Sequence, residues 1–131
     1  MYEIIKFPTI SDHRGNLTYI NNLEEIPFTI KRIFTVDGVP RGETRGGHAH
    51  YVLQEILIPI VGRFVVELTD GKETKTVEMF NPRAGILLYP NIWRVVKNYT
   101  KGSICLSLCS ETHDESDYIK DWDTFIKTYG K

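Results

Sequence analysis

Along most of this chain apolar positions come in short bursts, and only near the end do they fall into a helical stripe. Residues 2–7 predict a first strand, closed by Pro8, and a turn over Ser11-Asp12-His13-Arg14-Gly15 leads to a second at 16–21. Residues 28–36 (FTIKRIFTV) are rich in β-branched and aromatic side chains and stop at the turn signal Asp37-Gly38. Residues 54–61 are almost continuously apolar, which suits a strand buried on both faces. Residues 63–69 and 74–80 flank Asp70-Gly71, the strongest hairpin signal in the chain. Strands at 86–89 and 92–99 are joined by a Pro90-Asn91 turn. In 103–109, Ile104, Leu106 and Leu108 share one face and Cys105, Ser107 and Cys109 the other, as in a barrel wall lined with small groups. From Tyr118 the pattern changes: Tyr118, Ile119, Trp122, Phe125 and Ile126 form a helical stripe, with Ser116 or Asp117 to cap its start and Gly130 its end.

The pattern therefore predicts an all-β fold, a jelly-roll type barrel of about eight strands or more with a short C-terminal helix. At 131 residues, with 41% hydrophobic and 25% charged side chains, one domain over 1–131 can bury a core without disulfides. A net charge of -1 argues against a nucleic-acid partner, and no apolar run approaches the ~20 residues of a membrane span. The opening Met1-Tyr2-Glu3-Ile4-Ile5-Lys6 is too short and mixed for a signal peptide, so a cytoplasmic protein is expected. Four residues apart in one strand, Cys105 and Cys109 would lie about 13 Å apart at ~3.3 Å per residue, too far for a disulfide; they read as free, buried thiols.

The candidate chemistry lies in Arg45-Gly46-Gly47-His48-Ala49-His50, followed by Glu55 and Gly62. On a strand, His48 and His50 point the same way and Ala49 the other. Two imidazoles facing one volume suit either a divalent metal or proton transfer near neutral pH. The spacing matches the first motif of the cupin barrel, in which the two histidines and a carboxylate such as Glu55 are metal ligands and a later strand supplies another histidine. Here that strand reads Tyr89-Pro90-Asn91-Ile92-Trp93-Arg94, and Arg94, always cationic, cannot coordinate a metal. Proton transfer without metal or other cofactor is therefore the expectation.

Five blocks in order carry a more specific resemblance: Arg14-Gly15-Asn16-Leu17, Ile26-Pro27-Phe28-Thr29-Ile30-Lys31-Arg32, Arg45 to His50, Pro90-Asn91-Ile92-Trp93, and Asp114-Glu115-Ser116-Asp117-Tyr118-Ile119. The chain resembles the cupin-type dTDP-4-keto-6-deoxy-D-glucose 3,4-ketoisomerases nearly from end to end. The resemblance implies a cupin β-barrel homodimer that exchanges N-terminal strands, residues 2–7 crossing to the partner. It implies no metal, and acid/base chemistry on a dTDP-linked 4-keto-6-deoxy sugar that feeds a 3-amino-3,6-dideoxyhexose pathway.

By the same resemblance His48 and His50 are the acid/base pair, with His50 favoured as the C3 base and His48 as its partner. Neutral imidazoles suit that task, and Arg45 and Arg94 would hold them neutral and stabilise an enediolate. Arg45 is the first candidate for the substrate diphosphate, with Arg32 and Arg14 behind it, since guanidinium binds phosphate bidentately. Trp93 and Tyr89 could pack the sugar or base, or belong to the core, and His13 and His113 read as surface or turn residues. Where family members often carry a tyrosine proposed to shuttle a proton between sugar oxygens, this chain has Phe34 and Thr35, so that shuttle is either absent or supplied elsewhere, by Thr35 or water. The rival functions are a nucleotide-sugar epimerase and a non-catalytic sugar-binding cupin. The residues leave the C4 configuration of the product open.

Overall fold

The computed structural model describes residues 1–130, and its first sheet is built around the most apolar run of the chain. Five antiparallel strands follow one another as β1 (Tyr2–Lys6), β9 (Ala84–Leu88), β6 (Glu55–Val61), β11 (Ile104–Cys109) and β4 (Arg32–Asp37). Pro59 sits within central β6 because the β6–β9 ladder ends at Leu57, before it, and the β6–β11 register shifts just beyond it. The second sheet runs β12 (Tyr118–Ile119), β5 (Arg45–His50), β10 (Trp93–Lys97), β7 (Phe64–Thr69) and β8 (Thr74–Met79). β7 and β8 meet at the expected Asp70-Gly71 turn, where Asp70 Oδ1 accepts the amides of Lys72 and Glu73, both at 2.9 Å.

The period-two alternation of these strands divides their side chains among three packed layers. Leu57, Phe64, Val66, Leu68, Met79, Ile86, Leu88, Ile92, Val96 and Cys105 come from both sheets and fill the space between them. On the outer side of the first sheet, Ile56, Ile58, Leu87 and Leu108 are covered by Phe7, Ile26 and Phe28. The outer side of the second is covered by the helix α1 (Trp122–Tyr129), whose Phe125 is fully buried against Ala49 and Ile119. The chain is thus mostly β with one short C-terminal helix, as the pattern of its sequence predicts.

Several elements differ from that pattern. The helix does not begin at Tyr118 behind a Ser116 or Asp117 cap. Tyr118 and Ile119 pair instead with His50 and Ala49, and Asp121 caps α1 by accepting Thr124 N–H at 3.0 Å. An apolar stripe at helical spacing is satisfied there by two strand residues and one helix face, which sequence alone does not separate. The expected strand at 28–36 begins only at Arg32, as β4 (Arg32–Asp37), and Phe28 is buried in irregular backbone over the first sheet. Part of the expected first turn is a strand, β2 (Thr9–Asp12), paired with β3 (Gly15–Thr18) as a small exposed hairpin. Finally, β1, the segment expected to cross to a partner, pairs along its whole length with β9 within the chain. Among the described residues no helix is long and apolar enough to cross a membrane.

Candidate active site

Two consecutive glycines in the left-handed region, Gly46 (φ +86°) and Gly47 (φ +70°), bring β5 to the site. Against β10, Val95 faces Gly46 but Arg94 faces His48, so Gly47 is the extra residue of a β-bulge. Backbone approaches so closely that a Cβ on Gly46 would lie 2.9 Å from the Arg94 carbonyl oxygen. Beyond the bulge, His48 and His50 point between the sheets while Ala49 points out to the helix layer. Arg94, opposite His48, shares their face.

These side chains border one cavity of about 500 Å³ at the end of the barrel that the apolar core leaves unfilled. The imidazoles stand edge to face at 4.8 Å between centroids, and the Tyr118 ring lies 4.4 Å from His50 and 5.0 Å from His48. The floor is a buried charge network. Arg94, 1% exposed, donates through Nη1 to Glu55 Oε1 at 3.1 Å and through Nε to the Ile92 carbonyl at 3.1 Å. Ser107 Oγ donates to the other Glu55 oxygen at 2.8 Å, and Cys109 Sγ lies 3.8 Å from it. Arg94 Nη2 is buried and has no hydrogen-bond partner among the described residues. Such a pair is costly to break, because either partner alone is an uncompensated buried charge.

Burial is the main reason both histidines resist protonation. It lowers His48, with the Arg94 charge as the next cause. His50, only 2% exposed, is pushed down to about 3 by burial, then by Arg94, His48, Arg32 and His113. Arg94 thus acts on both rings as expected, but the second arginine acting on His50 is Arg32 rather than Arg45. Burial also pushes up the thiols, Cys105 to about 12 and Cys109 to about 11, so both stay protonated at neutral pH.

The residues singled out in the sequence separate into two groups. His48, His50, Arg94, Arg45 and Arg32 border the cavity, Arg45 being exposed and Arg32 lying 4.9 Å over the Phe34 ring. Arg14 does not reach it: it sits in the exposed β2–β3 turn, paired with Asp12 at 2.7 Å. Trp93, next to Arg94, faces the other way and packs on Trp122 and Phe125 in the helix layer. Thr35 touches the cavity rim, but it is exposed and alternates with Phe34 and Val36, so its hydroxyl lies on the wrong face for a shuttle. Tyr89 lies outside the cavity, donating to Glu3 at 2.9 Å. His113 is exposed, as expected of a turn residue, yet its ring lies 5.6 Å from that of Tyr118 and its Nδ1 3.4 Å from Arg32 Nη1. Glu55, the carboxylate that metal-binding relatives of the motif would use, is turned to Arg94 and Ser107. Among the described residues no three His, Cys, Asp or Glu are placed to hold a metal ion.

Sequence reasoning missed three participants. Tyr118 and Tyr99 border the cavity, and Asp117 Oδ2 lies 3.3 Å from His50 Nδ1. Asp117 and Tyr118 stand in the block Asp114 to Ile119, where the apolar spacing predicts the start of a helix. The period-two face of a two-residue strand is too short a signal to override that reading.

Residues 1–130 match the family model described as FdtA, WxcM-like, C-terminal. The TDP-4-oxo-6-deoxy-alpha-D-glucose-3,4-oxoisomerase of Aneurinibacillus thermoaerophilus is 33% identical over 129 residues, covering 98% of this chain and 93% of that one. A His→Asn variant of the 3,4-ketoisomerase QdtA from Thermoanaerobacterium thermosaccharolyticum, solved with TDP-4-keto-6-deoxyglucose, superposes with a TM-score of 0.95. Its identity is 36%, over 98% of this chain and 93% of that one. The TDP-quinovose 3,4-ketoisomerase WlaRB of Campylobacter jejuni gives a TM-score of 0.92 at 33% identity, over 96% of this chain and 97% of that one.

Proposed function

We infer the function from a family premise: the chain belongs to the FdtA (WxcM-like, C-terminal) family, and its cavity holds the groups a sugar 3,4-ketoisomerase needs. The substrate is TDP-4-keto-6-deoxy-D-glucose and the product the TDP-3-keto-6-deoxy sugar, an isomerisation that supplies a ketone for amination to a 3-amino-3,6-dideoxyhexose. The observation that carries this reading is the convergence of two neutral imidazoles and one guanidinium on a single cavity.

Moving a ketone from C4 to C3 removes the C3 proton, passes through an enediolate and returns a proton to C4. An imidazole kept neutral at pH 7 is ready to accept a proton. His48 is the more accessible ring, and His50 at about 3 is the weaker base, so His48 rather than the expected His50 takes the C3 proton and His50 is its partner. Arg94, with Nη2 unpartnered, is the cation beside the developing enediolate charge. Arg45 and Arg32 at the rim meet the diphosphate. No metal or cofactor is assigned a part.

A single cytoplasmic domain acting as a homodimer completes the proposal. With β1 committed to its own sheet, the segment left to cross between subunits is the β2–β3 hairpin, whose Ile10 and Leu17 are exposed. Arg14, at its tip, serves a nucleotide only by reaching a partner's cavity.

Incubation with TDP-4-keto-6-deoxy-D-glucose in deuterium oxide tests the reading by NMR. A C3 ketone with deuterium at C4 is the expected result. Deuterium at an inverted carbon with the ketone still at C4 would make the protein an epimerase, and unchanged keto sugar without incorporation would make it a binding module.

A further inference from the structure

Isomerisation moves two protons: the carbon-bound proton leaves C3 and C4 gains one, while the hydroxyl proton on O3 must end on O4. We propose that Asp117 is a positioning residue that makes His50 the carrier of the hydroxyl proton, leaving the carbon-bound proton to His48. The proposal rests on the ketoisomerase reading above.

Asp117 is fixed before the ring is considered. Its Oδ1 accepts Val52 N–H at 2.8 Å, its Oδ2 accepts Leu53 N–H at 3.2 Å, and its carbonyl accepts Tyr51 N–H at 3.0 Å. The carboxylate is thereby stitched to the turn that leaves His50, and β12 holds Tyr118 opposite His50. In this position Oδ2 lies 3.3 Å from His50 Nδ1, which has no other partner among the described residues; the contact is close but not aligned as a full hydrogen bond. A lone pair on Nδ1 would face a carboxylate oxygen, so the neutral ring carries its proton on Nδ1 and keeps Nε2 as acceptor. A second proton arriving at Nε2 makes an imidazolium 3.3 Å from the Asp117 carboxylate, which favours a charge that burial and Arg94 oppose.

The alternatives for this transfer are few. Phe34 has no hydroxyl, Thr35 faces out, and Ser107 is committed to Glu55. Tyr99 borders the cavity too, packed on Phe64, and Tyr118, whose ring lies 4.4 Å from that of His50, is the competing carrier. The sequence balances without any oxidant or reductant. The C3–H bond breaks, its proton goes to His48, and its electron pair forms C3=C4 as the C4=O4 pair moves onto O4. The O3 proton passes to His50 Nε2 and from there to O4. Protonated His48 then delivers a proton to C4 as the C3=O3 bond forms. Asp117 stays ionised throughout.

The test is steady-state kinetics of wild type, Asp117→Asn, His50→Asn and Tyr118→Phe, with C3-deuterated substrate and in deuterium oxide. Asp117→Asn keeps an oxygen for Val52 but loses the charge. It should lower kcat roughly 10²-fold with little change in KM. The solvent isotope effect on kcat should rise and the primary effect of C3 deuterium should fall towards one, because transfer between oxygens has become limiting. His50→Asn should give the same signature, and it carries the test alone if Asp117→Asn fails to fold. A slowed Asp117→Asn enzyme with unaltered isotope effects, or the signature appearing in Tyr118→Phe instead, would overturn the proposal while leaving the isomerase reading intact. A wild-type protein inert towards the keto sugar would overturn both.

Discussion

Burying His50 as a neutral ring should make the protein measurably less stable in mild acid, and the structure sets the size of the loss. The ordinary imidazole value is 6.5 and His50 is pushed to about 3. Between those values the unfolded chain binds a proton that the folded chain refuses, so unfolding is favoured as pH falls. The contribution is fully present above 6.5 and is lost progressively down to about 3. At ~1.36 kcal/mol per pH unit, the interval from 6.5 to pH 5 removes about 2 kcal/mol. With a urea m-value of about 2 kcal/mol/M, that is a fall of roughly 1 M in the midpoint. The assay is urea unfolding at pH 7, 6 and 5 for wild type and His50→Asn. The remaining acid sensitivity, from His48 and the carboxylates, is common to both proteins, so the difference between their slopes isolates His50. Parallel stability curves would refute the reasoning: they would mean that Asp117, 3.3 Å away, lets His50 charge inside the fold.

Three further outcomes follow from the same site. Glu55→Gln leaves the Arg94 charge buried without its anion and should cost about 3–5 kcal/mol, read as a fall in Tm; an unchanged Tm would mean that Arg94 escapes to solvent. Gly46→Ala places a Cβ 2.9 Å from the Arg94 carbonyl at a left-handed φ and should destabilise by about 1–3 kcal/mol, with TDP affinity falling in calorimetry as the bulge shifts. Arg45→Ala should leave stability within ~0.5 kcal/mol and weaken TDP binding roughly 10- to 150-fold, since Arg45 is exposed at the rim; unchanged affinity in the same titration would remove it from the diphosphate site.

How much of this was legible depends on how local the signal is. Period two in Ile104–Cys109 and around His48-Ala49-His50 is a property of neighbouring residues, and those faces could be assigned from sequence alone. The same rule could have excluded Trp93 once Arg94 was placed inside, because adjacent strand residues cannot share a face. What sequence lacks is register: nothing local says that Arg94 stands opposite His48, and that pairing puts Arg94 in the cavity and Trp93 under the helix. Register also decides Thr35, whose pairing with Leu106 puts it on the outer face of β4 while it still touches the cavity rim.

The hardest part to read is the segment that completes the histidine site. Asp117 reaches the Val52 amide across 65 residues of sequence, and the contact exists only because two residues, Tyr118 and Ile119, pair with β5 before the helix begins. Each of the two serves a different layer: Ile119 packs with Ala49 and Phe125 outside, and Tyr118 meets the two imidazoles inside. A helix through the same residues would bury Ile119 equally well but would carry Asp117 and Tyr118 away from the histidines. The apolar pattern alone tolerates both conformations. What favours the strand is the set of polar contacts around Asp117, namely the three amides of Tyr51, Val52 and Leu53. At about 1 kcal/mol each, more where the acceptor is charged, those bonds outweigh the small helix propensity of two residues. The feature that conceals this segment from sequence reading is therefore the one that fixes a carboxylate beside His50.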